Sequence, residues 1–209
     1  MNQNSWHLEA IKRLHESLLT TGRIANLADR ISNVFPDANS LLDVGCGNGR
    51  LARELLERRG NLKVQGIDVK STTDVAIPYL LFDGQHIPFG DATWDVAMAI
   101  DVLHHCSDPT LVLRELCRVS RRYVIVKDHI AENRFDFQVL KFMDWVGNRG
   151  YGTTLPYTYY TSHEWNEVFI SCDLTLIESS DKLDIYPRPF RWLFDRNLHF
   201  LSVLHKDAP

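Results

Sequence analysis

The sequence predicts an α/β fold built on a doubly wound, mostly parallel sheet with helices on both faces. Three observations support this prediction. An apolar run, Leu41–Val44, leads directly into a glycine-rich turn, strand-like and helix-like segments then alternate along the chain, and the strand-like runs are apolar throughout. Parallel strands that are covered on both faces have this continuous apolar character.

The glycine turn connects the first strand to a helix. Gly45, Gly47 and Gly49 permit backbone conformations, and a close approach of a ligand, that a Cβ atom would hinder. The following helix has its leucines on one face, carries Arg58-Arg59 in its last turn and is expected to end at Gly60. Before the first strand, residues 1–38 show helical spacing of apolar residues, interrupted at Thr21-Gly22.

The alternation continues after the first helix. Val64–Asp68 and Tyr79–Gly84 are predicted as the second and third strands, the fourth strand ends near Ile100, and the fifth covers Tyr123–Lys127. Asp108-Pro109 marks the start of a helix, and Thr161–Glu164 is a capping box that starts another. A further helix carries Phe135, Val139, Phe142, Met143 and Val146, and strand-like runs at 174–178 and 199–205 close the chain.

The glycine spacing distinguishes between nucleotides. A dinucleotide fingerprint G-x-G-x-x-G would need a third glycine where Arg50 stands. The observed pattern, D-x-G-x-G-x-G from Asp43 to Gly49, closely resembles motif I of the class I S-adenosylmethionine-dependent methyltransferases. Further matches to that family follow in the same order along the chain. The first are acids at two strand ends, Asp68 and Asp83. The next are the segment 87–100, which leads into and includes the fourth strand, and the loop 101–109 after it. The resemblance covers residues 40–127.

The resemblance implies a Rossmann-like seven-stranded sheet with an antiparallel last strand, and S-adenosylmethionine as cofactor with S-adenosylhomocysteine as product. Asp68, about 20 residues past the glycines, is placed to accept hydrogen bonds from ribose hydroxyls, and in the family the acid at Asp83 accepts one from the adenine amino group. The residues assigned to the cofactor site are Asp43, Gly45, Cys46, Gly47, Asn48, Asp68, Val69, Asp83, Gly84 and Ile100.

One segment departs from the family pattern. Residues 69–78 stand where the family commonly has a full helix, but they are too few and too rich in β-branched residues to form one. A loop or a single turn is expected there.

Composition predicts one globular domain of 209 residues, with 44% hydrophobic and 24% charged residues. Its parts are expected to be N-terminal helices (1–38), a cofactor-binding core (40–127), a helix and substrate lid (128–165) and two last strands (174–205). A formal net charge of -4 without dense basic runs argues against nucleic acid as partner. No membrane span or signal peptide is predicted, so a cytoplasmic location is expected. The oligomeric state is left open.

The cysteines and neighbouring histidines predict no metal site. Cys46, Cys106, Cys117 and Cys172 are scattered, as expected of reduced thiols that pack as small hydrophobes. Adjacent side chains diverge, so His104, His105 and Cys106 are not expected to bind zinc.

Methyl transfer from a sulfonium is an in-line displacement that mainly requires the acceptor to be held close to the methyl carbon and away from water. A general base helps only when the acceptor arrives protonated. His104 and His129 are the candidates for a general base, because imidazole accepts a proton near neutral pH, although loop histidines are as often structural. Asp101 and Asp128, at the ends of the fourth and fifth strands, are expected to face the substrate.

An aromatic segment supplies the predicted substrate lid. Tyr151, Tyr157 and Tyr160 lie in a glycine- and tyrosine-rich stretch that either closes over a small-molecule acceptor or packs flat on the domain. The segment 186–192 is expected to form either a second wall of the pocket or an oligomer contact.

Three functions stay open at this point. The first is a methyltransferase acting on a small molecule. The others are a catalytically silent methyltransferase-like binding domain and, against the evidence of Arg50, an NAD-dependent oxidoreductase. The acceptor and its attacking atom are not predicted.

Overall fold

The computed structural model describes residues 21–148, 156–183 and 197–206. Its helices are α1 (Thr21–Asn33), α2 (Arg50–Arg59), α3 (Pro109–Val119), α4 (Arg134–Asn148) and α5 (Ser162–Ser171). Its strands are β1 (Ser40–Val44), β2 (Lys63–Asp68), β3 (Tyr79–Leu81), β4 (Trp94–Ile100), β5 (Ser120–His129), β6 (Leu174–Ser180) and β7 (His199–Lys206). A single 3₁₀ turn covers Leu103–His105.

The strands form one seven-stranded sheet in the order β3-β2-β1-β4-β5-β7-β6. The first five strands are parallel, and β7 runs antiparallel to both of its neighbours. This arrangement confirms the predicted fold class, including the antiparallel last strand. The strand order reverses between β1 and β4, which is the point where open α/β sheets bind ligands outside the carboxyl ends of their strands.

Consecutive residues of β1 pack against different helices. Leu41 belongs to an apolar cluster that includes Leu27 of α1 and Leu55 of α2, whereas Leu42 belongs to a cluster that includes Leu113 of α3 and Trp165 of α5. The sheet therefore lies between two helical layers, which accounts for the continuous apolar character of its central strands.

The turn from β1 into α2 requires glycine. Gly45 has φ +72°, and a Cβ atom built on it would lie 2.4 Å from Cγ2 of Val102. Gly49, the residue before α2, is also left-handed, with φ 71°. The helix ends at Gly60, whose N–H donates to the carbonyl of Leu56, as predicted. Asp108 caps α3, and the capping box of Thr161 and Glu164 starts α5.

Residues 69–78 form no helix, as the sequence predicts. The segment is fixed by backbone hydrogen bonds instead, from Ala76 to Asn48 (3.0 Å) and from Gly66 to Pro78 (2.8 Å). The third strand ends at Leu81 and is therefore shorter than predicted. Asp83 lies in the turn that follows it.

Helix α4 turns a polar residue inward. Phe135 and Phe142 are 56% and 57% exposed, whereas Leu140 and Asp144 are buried. The apolar residues predicted for this helix therefore do not all lie on a buried face. Part of the inner face is polar instead and contacts a buried group of polar side chains.

Several predictions lie outside the described residues: the helix expected within residues 1–20, Tyr151 and the segment 186–192. The assignment of all 209 residues to one domain stays a prediction. Among the described helices, none has the length and apolar character needed to cross a bilayer.

Candidate active site

The carboxyl ends of β1, β2 and β4 border a cavity of about 840 Å³. One wall is the glycine turn after β1, and the opposite wall is the loop after β4, with Val102, His105 and Cys106. Between them the cavity is lined by Gly45, Gly47, Asn48, Asp68, Val69, Asp83 and Gly84. The loops that the sequence separates by up to about 60 residues thus meet at one edge of the sheet, as parallel strands require.

Asp68 connects the second strand to the glycine turn. Its Oδ2 atom accepts a hydrogen bond from the Gly47 N–H at 2.8 Å, and its Oδ1 atom accepts one from the Lys70 N–H at 3.0 Å. An ionised carboxylate has about four acceptor positions, so these two bonds orient the group and leave capacity for a ligand's hydroxyls.

Asp83 is held in the turn after β3. Its Oδ1 atom accepts hydrogen bonds from the N–H groups of His86 (2.7 Å) and Gln85 (2.8 Å). These hydrogen bonds favour the charged form and lower the pKa of the Asp83 carboxyl. The second predicted acid is therefore an ionised acceptor at the cavity.

A smaller cavity of about 190 Å³ adjoins the glycine turn on its other side. Asp43, Cys46, Ile100, Asp101 and Arg23 are among its lining residues. Burial, and then the charge of Asp68, raise the pKa of the Asp43 carboxyl to about 8. Burial together with the same carboxylates raises the pKa of the Cys46 thiol, so this cysteine is not an activated nucleophile.

Asp101 lies between two cations where β4 ends. It adopts a left-handed backbone conformation, with φ 57°, and its carboxylate accepts hydrogen bonds from Arg23 and from the fully buried Lys127. Burial acts to raise the pKa of Asp101, but the charges of Arg23 and Lys127 outweigh it, and the pKa lies well below its usual range.

Behind this edge of the sheet, polar side chains form a buried group that we call the histidine–aspartate cluster: His104, Lys127, Asp128, His129, Asp144, Tyr159 and His199. Nδ1 of His104 lies 2.6 Å from Oδ1 of Asp128, and Nδ1 of His129 lies 2.9 Å from Nδ1 of His199. Nε2 of each of His104 and His129 lies 3.6 Å from an oxygen of Asp144. The Tyr159 hydroxyl donates to the same carboxylate.

The two candidate bases have opposite pKa shifts. Burial acts to lower the pKa of His104, but the Asp128 carboxylate reverses this and the pKa is raised. Burial and the neighbouring His104 lower the pKa of His129. Of these two histidines, His129 therefore binds a proton less readily.

The His105 ring contacts that of His104 in a tilted arrangement, with ring centroids 3.9 Å apart, and His105 also lines the larger cavity. Its Nδ1 atom is buried and has no hydrogen-bond partner among the described residues. Burial and the charge of His104 lower the pKa of His105 to about 4. A neutral imidazole thus borders the cavity on the side of the cluster.

All ten residues predicted for the cofactor site line one of the two cavities. Of the residues predicted to face the substrate, Asp101 lines both cavities, while Asp128 is buried in the cluster and lines neither. Tyr160 packs edge-on against Trp165, and Tyr157 lies beneath the Lys141 ammonium. His104 and His129 also line neither cavity.

Five residues of the site were not singled out from the sequence: Arg23, Lys127, Asp144, Tyr159 and His199. A sequence signal existed for Lys127, since a lysine that ends an apolar strand-like run needs a partner if it is buried. Asp144, within a helix rich in large apolar residues, gave a similar signal. Arg23 and His199 lie 78 and 70 residues from their partners Asp101 and His129, and no local pattern reports such contacts.

Comparisons with known proteins agree with the geometry. Residues 42–125 match the family model described as a methyltransferase domain. A curated relative, 27-O-demethylrifamycin SV methyltransferase from Amycolatopsis mediterranei (strain S699), is 30% identical over 121 residues, which are 51% of this chain and 44% of the relative. The chain spans about half the length, or less, of the curated relatives it matches.

Solved structures share the fold. A putative methyltransferase in complex with the Haloferax volcanii activator Trm112 aligns with a TM-score of 0.66 and 18% identity, over 98% of this chain and 97% of that one. Geranyl diphosphate methyltransferase in complex with SAM aligns with a TM-score of 0.66 and 13% identity, over 88% of this chain and 85% of that one.

The doubly wound sheet with an antiparallel last strand and a ligand cavity at its reversal point defines a Rossmann-like α/β protein. The match of residues 42–125 to a methyltransferase-domain model, together with the curated methyltransferase relatives, agrees with the predicted resemblance to class I S-adenosylmethionine-dependent methyltransferases. On this basis a methyltransferase is favoured over an NAD-dependent oxidoreductase.

Proposed function

We propose that this protein transfers a methyl group from S-adenosylmethionine to a small-molecule acceptor. The observation that carries the proposal is the 840 Å³ cavity, in which bare glycine backbone and two carboxylates, Asp68 and Asp83, border one space. Such a wall suits an uncharged ribose and adenine. It offers no cluster of cations for a diphosphate among its lining residues, where Lys70 is the one basic side chain other than histidine.

The adenosyl part of the cofactor is proposed to lie in the larger cavity, with its ribose on Asp68 and its adenine amino group on Asp83. The amino-acid part is proposed to enter the smaller cavity, which is lined by two cations, Arg23 and Arg50, and two acids, Asp43 and Asp101. Opposite charges on neighbouring walls complement the ammonium and the carboxylate of a zwitterion.

The acceptor is proposed to approach from the His105 side, which faces the glycine turn across the larger cavity. The protein then contributes chiefly by holding the attacking atom in line with the methyl carbon and excluding water. His104 and His129 remain the proposed groups that promote loss of a proton from the acceptor. Tyr151, Tyr157, Tyr160 and Asp128 remain proposed as substrate-side residues.

A small acceptor is favoured by the net charge of -4, which is unsuited to a phosphate backbone. The rifamycin relative is named for a small-molecule substrate, which agrees with this proposal. The family relation itself leaves the acceptor open, because chemistry on a shared scaffold is set by its loops.

The test is to incubate the purified protein and S-adenosylmethionine carrying a deuterated methyl group with a metabolite extract, and to search for labelled products by mass spectrometry. We expect a labelled small molecule with the wild type and with Asp74→Asn, an exposed loop control, and much less with Asp68→Ala. Cofactor binding without any labelled product would favour the silent binding domain instead. If a product appears, separate His104→Gln and His129→Gln variants test whether these histidines promote proton loss from the acceptor. Unchanged turnover in both variants would contradict that role.

A further inference from the structure

The two cavities at the edge of the sheet share three lining residues. Gly45, Asn48 and Asp101 each line both the larger and the smaller cavity. Glycine has no side chain and asparagine is uncharged, so Asp101 is the charged residue of this junction within the described parts of the chain. The acids Asp68 and Asp83, in contrast, line the larger cavity alone. A ligand that extends through both cavities therefore passes the Asp101 carboxylate.

The Asp101 carboxylate is ionised and is held in place from two sides. Arg23, from α1, donates to its Oδ2 atom, and Lys127, from β5, donates to its Oδ1 atom. The backbone is fixed as well, because the Asp101 N–H donates to the Lys127 carbonyl at 2.8 Å. Burial acts to raise the pKa of Asp101, but the two cations hold it well below its usual range. The negative charge is therefore present and oriented before a ligand binds.

Of these three charges, that of Asp101 lies nearest the junction. The Asp101 side chain keeps 20% of its exposure and lines both cavities, whereas Lys127 is fully buried and lines neither. Arg23 lines the smaller cavity alone, where it can pair with a carboxylate of the ligand. Because the interaction between charges falls with distance, a positive group at the junction is attracted by Asp101 more strongly than Lys127 repels it.

The proposed function, on which this inference rests, determines what lies at the junction. It places the adenosyl part of S-adenosylmethionine in the larger cavity and the amino-acid part in the smaller one. The sulfur atom joins these two parts, so the positively charged sulfonium is expected where the two cavities meet. Asp101 is then the residue of the junction that can respond to this charge.

We propose that Asp101 recognises the positive charge of the sulfonium and shifts the binding preference of the site from S-adenosylhomocysteine toward S-adenosylmethionine. In the transfer, an electron pair of the acceptor forms the new bond to the methyl carbon, and the electron pair of the broken carbon–sulfur bond stays on sulfur. The sulfur is then a neutral thioether. Asp101 attracts it no longer, and the product is held less strongly than the reactant was.

This attraction acts on the exchange of cofactor for product and not on the chemical step. It is strongest in the bound reactant and fades as the positive charge leaves the sulfur, so it gives the transition state no advantage over the reactant. Asp101 thus determines specificity for the charge of the ligand. Asp68 and Asp83 differ in this respect, because the ribose and adenine proposed to contact them are the same in both compounds.

The test measures binding and does not depend on methyl transfer. Isothermal titration calorimetry gives the dissociation constants of S-adenosylmethionine and of S-adenosylhomocysteine for each protein. The ratio of the two constants isolates the methyl group and its charge, because the rest of the two compounds is identical. Measurement at about pH 6 keeps the Asp43 carboxyl of the smaller cavity, whose pKa is about 8, protonated in the free protein.

Asp101→Asn should lower the preference for S-adenosylmethionine about 10- to 100-fold, because it removes the negative charge and leaves that of Lys127. Arg23→Gln should weaken binding of both compounds, but it removes a neighbouring positive charge and should leave the preference unchanged or raised. The matched control Asp83→Asn makes the same chemical change at the other end of the larger cavity. It should weaken both compounds alike and leave the ratio within about twofold of the wild type.

Circular dichroism establishes that each variant is folded. If Asp101→Asn does not fold, Asp101→Asn/Lys127→Met, which also removes the buried ammonium, takes its place and should likewise lower the preference. An unchanged or raised preference in the folded Asp101 variant would overturn the proposal. An equal fall in Arg23→Gln would also overturn it, because the effect would then follow from altered shape and not from charge. Failure of the folded wild type to bind either compound would contradict the proposed function itself.

Discussion

The two halves of the sheet's carboxyl edge are built on different principles. At the ends of β1 and β2, the larger cavity is bordered by glycine backbone and by Asp68, whose hydrogen bonds come from nearby N–H groups. At the ends of β4 and β5, side chains from several elements neutralise one another in a mostly buried group. The first half needs few long-range contacts, whereas the second exists only once the chain has folded.

This difference predicts which half a single substitution disturbs most. A buried charge that loses its partner is left in a medium that solvates it poorly, so the free energy of unfolding falls. A carboxylate at an open cavity remains solvated when its partner changes. Such a change therefore lowers ligand affinity and alters the free energy of unfolding little.

The largest effect is expected for Lys127→Met. Lys127 is fully buried and bonds Asp101, so its removal should lower the free energy of unfolding by about 3–5 kcal/mol. Urea unfolding followed by circular dichroism measures the change. The exposed control Lys182→Met should change stability by less than about 0.5 kcal/mol.

A second variant sharpens this prediction. If the loss reflects the uncompensated Asp101 carboxylate, the double variant Lys127→Met/Asp101→Asn should recover part of it. A single Lys127→Met variant as stable as the wild type would show that the buried charges of this half do not depend on one another.

A smaller effect, on affinity rather than stability, is expected for Asp68→Asn. The change removes charge-assisted hydrogen bonds, each contributing about 1.5–3 kcal/mol, so binding of S-adenosylmethionine should weaken about 10- to 100-fold. Isothermal titration calorimetry measures it. Asp74→Asn, in the loop beyond β2, should bind like the wild type because asparagine tolerates the left-handed conformation there, φ 60°. Equal affinities of the wild type and both variants for S-adenosylmethionine would contradict the assignment of Asp68 to the cofactor site.

The last expected effect is a pH dependence that arises from Asp43. Its pKa is raised from 3.8 to about 8, so the carboxyl is protonated in the free protein at neutral pH. Positive charge on a bound sulfonium and ammonium would favour the ionised form, so binding should release a proton, and affinity should rise with pH up to about 8, by at most about tenfold per unit. Since the folded state holds this proton more tightly, stability of the unliganded protein should fall as pH rises from about 4 to about 8.

Calorimetry in buffers of different ionisation enthalpy measures the released proton. Asp43→Asn should abolish the release, and S-adenosylhomocysteine, which lacks the sulfonium charge, should cause less of it than S-adenosylmethionine. Proton uptake, or affinity that does not change between pH 6 and pH 8, would contradict the assignment of Asp43.

Local features of the molecule were predictable and long-range ones were not. The glycine turn, the Asp108 cap and the Thr161 capping box depend on residues within a few positions of one another, and the structure has each where the sequence predicts it. The lack of a helix over 69–78 followed from the length of that segment. The end of β3 was misplaced by a few residues, because Phe82 continues the apolar run beyond Leu81 and Asp83 then accepts hydrogen bonds within a turn.

The cluster could not be predicted because its contacts depend on register between distant strands and on the rotation of α4. Pairing of β5 with β7 sets His129 opposite His199, and the sequence contains no pattern that fixes this pairing. Asp144 meets His104 and His129 only because α4 turns Leu140 and Asp144 inward and leaves Phe142 exposed.

Titration of the protein with S-adenosylmethionine and, separately, with NADH in the calorimeter tests the central claim most directly. The account predicts saturable binding of one S-adenosylmethionine per chain and no binding of NADH, because the cavity presents two acids and bare peptide where a diphosphate would need donors and positive charge. A clear isotherm with NADH, and no heat with S-adenosylmethionine, would contradict it.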